Sequence, residues 1–167
     1  MKKLVSAFII VLLSAVLVYA EGTSLENSEG NSDRYRIGFG LGMPYGGFGA
    51  GLEAFPMDKV SIALGLGTTS GGMGWAAGVR FYPVERFGRF WPRLSAYYGI
   101  VAVLEDSKGN VHDTHSGSAF GVGVNVLIDV DYTMDFELLV VDNEPPPGYV
   151  KKSGDDVTVS IGWGFYF

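Results

Sequence analysis

Two sets of side chains in this chain could do chemistry. The first is His112 and His115 in the run HDTH, close to Glu105, Asp106 and Asp113. Two imidazoles at that spacing could share a metal ion with a carboxylate. No helical period holds them on one face, so the segment reads as an acidic, solvated loop, and no metal or cofactor is expected. The second set is Arg36, Glu53, Arg80, Arg93, Asp135 and Glu137, with Asn125 beside them. Each sits inside an alternating segment, on the side away from the bulky apolar residues. Three arginines and three carboxylates at similar depth can neutralise one another. Removing one partner from a buried set strands a charge at a cost of roughly 3–5 kcal/mol. The expectation is a mutual ion-pair network that plugs a narrow interior, with no catalytic residue in it. The run Gly38-Phe39-Gly40-Leu41-Gly42 is not a phosphate loop, because no helix follows it. The chain has no cysteine, which excludes thiol chemistry, disulfides and a lipoprotein anchor. Its net charge of -6 argues against nucleic acid as a partner.

The elements that must position these charges alternate with a period of two. The last of them, DVTVSIGWGFYF, puts Val157, Val159, Ile161, Trp163, Phe165 and Phe167 on one face. Asp156, Thr158, Ser160, Gly162, Gly164 and Tyr166 take the other. The same pattern recurs over residues 35–43, 48–55, 60–68, 73–82, 91–105, 118–128 and 132–141. In each, one face is large and apolar and the other is mostly glycine, alanine and serine. Residues 106–117 and 142–155 read as long polar loops, the second interrupted by three consecutive prolines and so expected to stay unpaired. The predicted architecture is all-β: an eight-stranded, antiparallel, up-and-down barrel over residues 35–167. Before it, Lys2 and Lys3, an apolar run from Leu4 to Val18 and the small-residue site ending at Ala20 describe a secretory signal peptide over residues 1–20. Residues 21–34 are polar and without period, and read as a flexible tail.

The closing strand, through Val159, Ile161, Trp163, Phe165 and Phe167, resembles the C-terminal strand of bacterial outer-membrane β-barrels. That resemblance implies an assembly signal at Trp163, Phe165 and Phe167, read by the barrel assembly machinery. The stretch Phe81-Tyr82-Pro83 … Trp91-Pro92-Arg93-Leu94-Ser95-Ala96-Tyr97-Tyr98-Gly99 is similar to the fourth-to-fifth strand hairpin of small OmpA/OmpX-like and OmpW-like barrels. The resemblance implies a monomeric transmembrane barrel in the outer membrane of a diderm bacterium, with outer-membrane lipids as neighbours. Both chain ends then lie on the periplasmic side and the two long loops outside. Tyr35, Phe55, Phe81 with Tyr82, Phe90 with Trp91, Tyr132, Phe165 and Phe167 are expected in a periplasmic aromatic girdle. Tyr45, Trp75 and Phe120 are expected near the outer rim.

The function expected is structural or surface-interacting, through a closed barrel that presents two outer loops. One alternative comes from the outer half of the inward face, where Gly49, Gly74, Val101, Val103, Ala119, Leu139 and Val141 are small or apolar. Val101, Val103, Leu139 and Val141 would line a cavity for a small hydrophobic ligand. A third comparison is with outer-membrane lipid A deacylases, on His115-Ser116-Gly117-Ser118; those enzymes place serine two residues after histidine, where this chain has Gly117. A soluble, lipocalin-like binder would need the reverse orientation, with the bulky set inside and the charges in water. Lys151 and Lys152 could meet anionic head groups or simply keep a loop tip solvated.

Overall fold

The computed structural model describes residues 35–84, 86, 88–105, 111–142, 150–153 and 156–167; the side chains of residues 105, 111–113 and 150–153 lie outside that description. The expected signal peptide (1–20) and tail (21–34) also lie outside the described residues.

The strands are β1 Tyr35–Gly42, β2 Gly47–Met57, β3 Val60–Thr69, β4 Gly72–Phe81, β5 Phe90–Glu105, β6 Val111–Leu127, β7 Tyr132–Asp142, β8 Val150–Ser153 and β9 Val157–Tyr166. Ladders join them in the order β4-β3-β2-β1-β9-β7-β6-β5, and β5 returns to β4. Every pairing is antiparallel. The chain is therefore a closed, eight-stranded, up-and-down barrel, with β8 lying against the projecting part of β5. Closure joins β1 to β9 through Ile37↔Phe165, Phe39↔Trp163 and Leu41↔Ile161. The apolar face of the last strand continues directly onto that of the first.

Side-chain bulk decides which of the two alternating faces is inside, because eight strands leave an interior that side chains just fill. Arg93 is 2% exposed and Asp135 1%, whereas Phe39 is 59%, Leu66 65% and Val159 60% exposed. The lipocalin-like arrangement needs the opposite, and the chain does not adopt it. One end of the barrel carries the C-terminus, the start of β1 and the connections after β2, β4 and β6; we call it the terminal end. The other, the loop end, carries the connections after β1, β3, β5 and β7.

Three elements depart from expectation. The β5–β6 hairpin is longer than alternation alone suggested, because residues 111–117 are strand, not loop. Beside it Ala102, Val103 and Leu104 of β5 are buried in succession, so both faces are covered there and neither side imposes an alternating pattern. The four residues of β8 pair with Val103–Glu105 despite the prolines before them. Those prolines lack N–H groups only at their own positions, and β8 begins after them. Finally, Met43–Tyr45 is a 3-10 turn folded into the lumen, not a simple reversal. Gly46, at φ 66°, closes it in the left-handed region that glycine enters freely.

Candidate functional site: a layered lumen

The charged layer occupies the terminal half of the lumen and joins residues from most of the strands. Glu53 on β2 accepts hydrogen bonds from Arg36 Nη1 of β1 (3.1 Å) and Arg80 Nη1 of β4 (2.5 Å). It also accepts from the Ser61 hydroxyl of β3 and from the Tyr82 hydroxyl at 2.8 Å. Asp135 on β7 accepts from Arg36 Nη1 and from Arg93 Nη1 of β5, each at 2.7 Å. Asn125 Nδ2 of β6 (3.1 Å) and the Tyr45 hydroxyl (2.9 Å) complete its shell. Glu137, also on β7, accepts from Arg93 Nη2 at 3.1 Å, from Ser95 and from the Tyr97 hydroxyl at 3.1 Å. Tyr97 in turn accepts from Arg80 Nε at 2.6 Å. Arg36 Nε donates to Thr133 at 2.8 Å.

The structure thus brings together Arg36, Glu53, Arg80, Arg93, Asp135 and Glu137, all at 3% exposure or less. Three positive and three negative charges cancel locally. Most of the arginine nitrogens and all six carboxylate oxygens are satisfied, which a buried charge requires if its desolvation is to be offset. Sequence reasoning missed the hydroxyl groups that complete the layer: Tyr45, Ser61, Tyr82, Ser95, Tyr97 and Thr133. Apart from Tyr45, which sits in the turn, all follow strand parity from the charges they serve, which is the signal that could have found them.

Room for this layer comes from glycine. A Cβ at Gly164 would overlap the guanidinium of Arg36, and one at Gly78 would overlap the ring of Tyr97.

Toward the terminal end, aromatic rings cover the charges. Phe55 stacks on Trp91 at 6.0 Å with planes 6° apart, and Tyr82 lies 4.1 Å from Trp91. Tyr166 lies 5.9 Å from Phe55, and the Arg86 guanidinium sits 5.1 Å over the Trp91 ring. The expectation that Phe55, Tyr82 and Trp91 belong to the lipid-facing girdle is corrected here. They share strand parity with Glu53, Arg80 and Arg93, so they face the lumen and roof it. Tyr82 is fully buried. Tyr35, Phe90, Tyr132 and Phe167 do face outward, each half exposed or more.

Toward the loop end the lumen turns apolar. Met43, Ala76, Tyr97, Ala119, Leu139 and Val141 pack together, with Val101 against them. Tyr45, expected at the outer rim, is 2% exposed and points inward. Gly40 and Gly162 flank its ring, while Gly65 and Gly74 leave space for the backbone of residues 44–46. Above this layer lies a cavity of about 230 Å³ lined by Gly42, Met43, Thr69, Ile100–Val103, Val141 and Thr158, among others. Val101, Val103 and Val141 line it as expected of a cavity, but Leu139 is fully buried in the layer beneath.

His115 and Ser118 stand three residues apart on β6, where residues 115–118 pair in succession with β5 and the extra residue, Val101, is on the β5 side. Three residues along a strand is a change of face, so the two cannot form an imidazole–hydroxyl pair. The side chains of His112, Asp113, Glu105, Lys151 and Lys152, and all of Asp106, lie outside the described residues. Among those described, no group of three or more His, Asp or Glu is placed to hold a metal.

The barrel has a counterpart among solved structures. It is similar to the N-terminal β-barrel domain of OprF from Pseudomonas aeruginosa, at 14% sequence identity and a TM-score of 0.54, over 81% of this chain and 98% of that domain. At that identity the likeness establishes the fold. No family model matches the chain, and no curated protein matches it in sequence.

Proposed function

We propose that this protein is an integral outer-membrane β-barrel with a sealed lumen, serving a structural or surface-presenting role. The observation that carries the proposal is the inversion of polarity: a belt of bulky apolar side chains covers the outside, and the charges lie within. In water such a surface would aggregate; in hydrocarbon it is matched to its solvent, and a closed barrel leaves no unpaired edge in the lipid. Likeness to the barrel domain of an outer-membrane protein supports the same location. The stacked aromatic, ionic and apolar layers block the lumen, so the role lies in the wall and loops, above all in the projecting β5–β6 hairpin, and not in conduction or catalysis. Trp163, Phe165 and Phe167 act as the assembly signal, and the chain works as a monomer among outer-membrane lipids.

Fractionation of expressing cells tests this directly. The protein should partition with the outer membrane and shift in electrophoretic mobility on boiling. A freely soluble periplasmic product with no boiling shift would refute it. Replacing His115 and Ser118 together should leave lipid A unchanged. A second reading, capture of a small hydrophobic ligand, is favoured by the loop-end cavity lined by Val101, Val103 and Val141.

A further inference from the structure

The ion layer holds more donors than its acceptors can take. Glu53 accepts four hydrogen bonds, from Arg36, Arg80, Ser61 and Tyr82. Asp135 also accepts four, from Arg36, Arg93, Asn125 and Tyr45. Two carboxylate oxygens offer about four lone-pair sites, so both groups are full. Thr133 accepts from Arg36 Nε and turns its own proton toward the Gly164 carbonyl at 3.4 Å. Among the described residues, three buried side-chain atoms are left without a partner: Arg36 Nη2, Arg93 Nε and the Tyr166 hydroxyl. All three can donate, and the two nitrogens can do nothing else. Their residues are 3%, 2% and 4% exposed, so bulk water does not reach them. Buried donors of this kind are nearly always satisfied by something.

Two of the three belong to one place. Arg36 and Tyr166 are cross-strand partners in the β1–β9 ladder, and both face the lumen. Arg36 Cζ lies 5.9 Å from the centre of the Tyr166 ring. Its Nη2 sits over Gly164, where a Cβ would overlap it, and Tyr166 follows two residues on along the same face. The edge of the guanidinium and the phenol thus present hydrogens to one spot, with no acceptor between them. Arg93 stands across the lumen on β5, so its Nε is a separate matter. The hydrogens decide what suits that spot. A water molecule would accept them but would bring two of its own, and the carboxylates and Thr133 that Arg36 touches have no lone pair left for those. An anion only accepts. Charge agrees: Arg86, over Trp91 in the aromatic roof, brings a fourth positive charge to this end against the three carboxylates of the layer. Phe55 lies against the Tyr166 ring on one side, and the guanidinium fills the space over Gly164 on the other, which favours a single-atom anion over an oxyanion.

We infer that the lumen binds a halide ion, chloride in the cell, between Arg36 Nη2 and the Tyr166 hydroxyl, beneath the aromatic roof. The ion is a buried counter-ion that ties the first strand of the barrel to the last.

Crystals of the full barrel grown in bromide test this without any substitution. An anomalous bromine peak should lie within hydrogen-bond distance of both Arg36 Nη2 and the Tyr166 hydroxyl. Water density at that point with no bromine signal overturns the inference, and so do bromine peaks confined to the surface. Urea unfolding gives a second reading, with chloride exchanged for gluconate at constant ionic strength. Above half-saturation, the ratio of folded to unfolded protein should rise about tenfold for each tenfold rise in chloride. Tyr166→Phe keeps the ring and removes one donor; it should retain the boiling shift and lose most of that dependence. Equal stability in chloride and gluconate overturns the inference. A chloride dependence undiminished in Tyr166→Phe overturns it too, since the ion would then act elsewhere. None of these outcomes touches the membrane reading, which cell fractionation decides by itself.

Discussion

Asp135 is the residue on which most of the lumen converges: two arginines, an asparagine amide and a tyrosine hydroxyl all donate to it. Asp135→Leu should therefore destabilise the barrel by about 3–5 kcal/mol, since it leaves an uncompensated positive charge in a dry interior. Arg93→Met combined with Asp135→Leu restores the balance and should cost clearly less than the single change. Urea unfolding in lipid vesicles would measure both. A double variant that lost the sum of the Asp135→Leu and Arg93→Met losses would mean that the charges act independently. Tyr45→Phe removes one hydrogen bond to an ionised acceptor and should cost about 1.5–3 kcal/mol in the same assay. The six charges were legible in the sequence because alternation put them opposite the bulky set. Phe55, Tyr82 and Trp91 obeyed the same parity, but their position at strand ends suggested the lipid girdle instead. Tyr45 was not legible. Its direction depends on space left by glycines on four other strands, which sequence order does not show.

At the scale of elements, the inward turn Met43–Tyr45 and the glycines of β9 are fitted to each other. A Cβ at Gly162 would overlap the Tyr45 hydroxyl. Gly162→Ala should thus lower the unfolding midpoint in the wild type, yet be tolerated in a Tyr45→Ala background. That is a strong non-additivity of the kind expected of residues in contact. Additive losses would show that the two do not meet. Deleting Phe167 should leave export intact but reduce the boiling-sensitive form in the outer membrane, as read on unheated gels. The eight barrel strands could be read from period and turns alone. The outer part of β6 and the short β8 could not, because there the neighbouring residues Ala102, Val103 and Leu104 are buried in succession and no one-sided apolar face writes an alternating pattern. The bulge at Val101 was likewise invisible, since Val-Ala-Val-Leu suits either parity.

At the scale of the whole molecule, the described residues set three layers in series along the lumen: rings at the terminal end, charges, and the packed turn. Planar bilayers carrying the wild-type protein should therefore show no resolvable ion channels. Tyr45→Ala or Phe55→Ala with Trp91→Ala should also stay silent, because each set leaves two barriers standing. Channels from the wild type would contradict the sealed lumen. The course of Arg36 has one more consequence. Its guanidinium leaves the first strand, passes over Gly164 of the last and grips Asp135 and Thr133 on the strand beyond. The join where the two ends of the chain meet is thus clamped from inside as well as zipped along its length. Native-state hydrogen exchange should find the amides at that join among the slowest in the molecule and residues 72–75, which the β4–β5 ladder does not reach, among the fastest. A cylinder made from one ribbon would then be tightest where it was last sewn up, and would give way on the opposite flank.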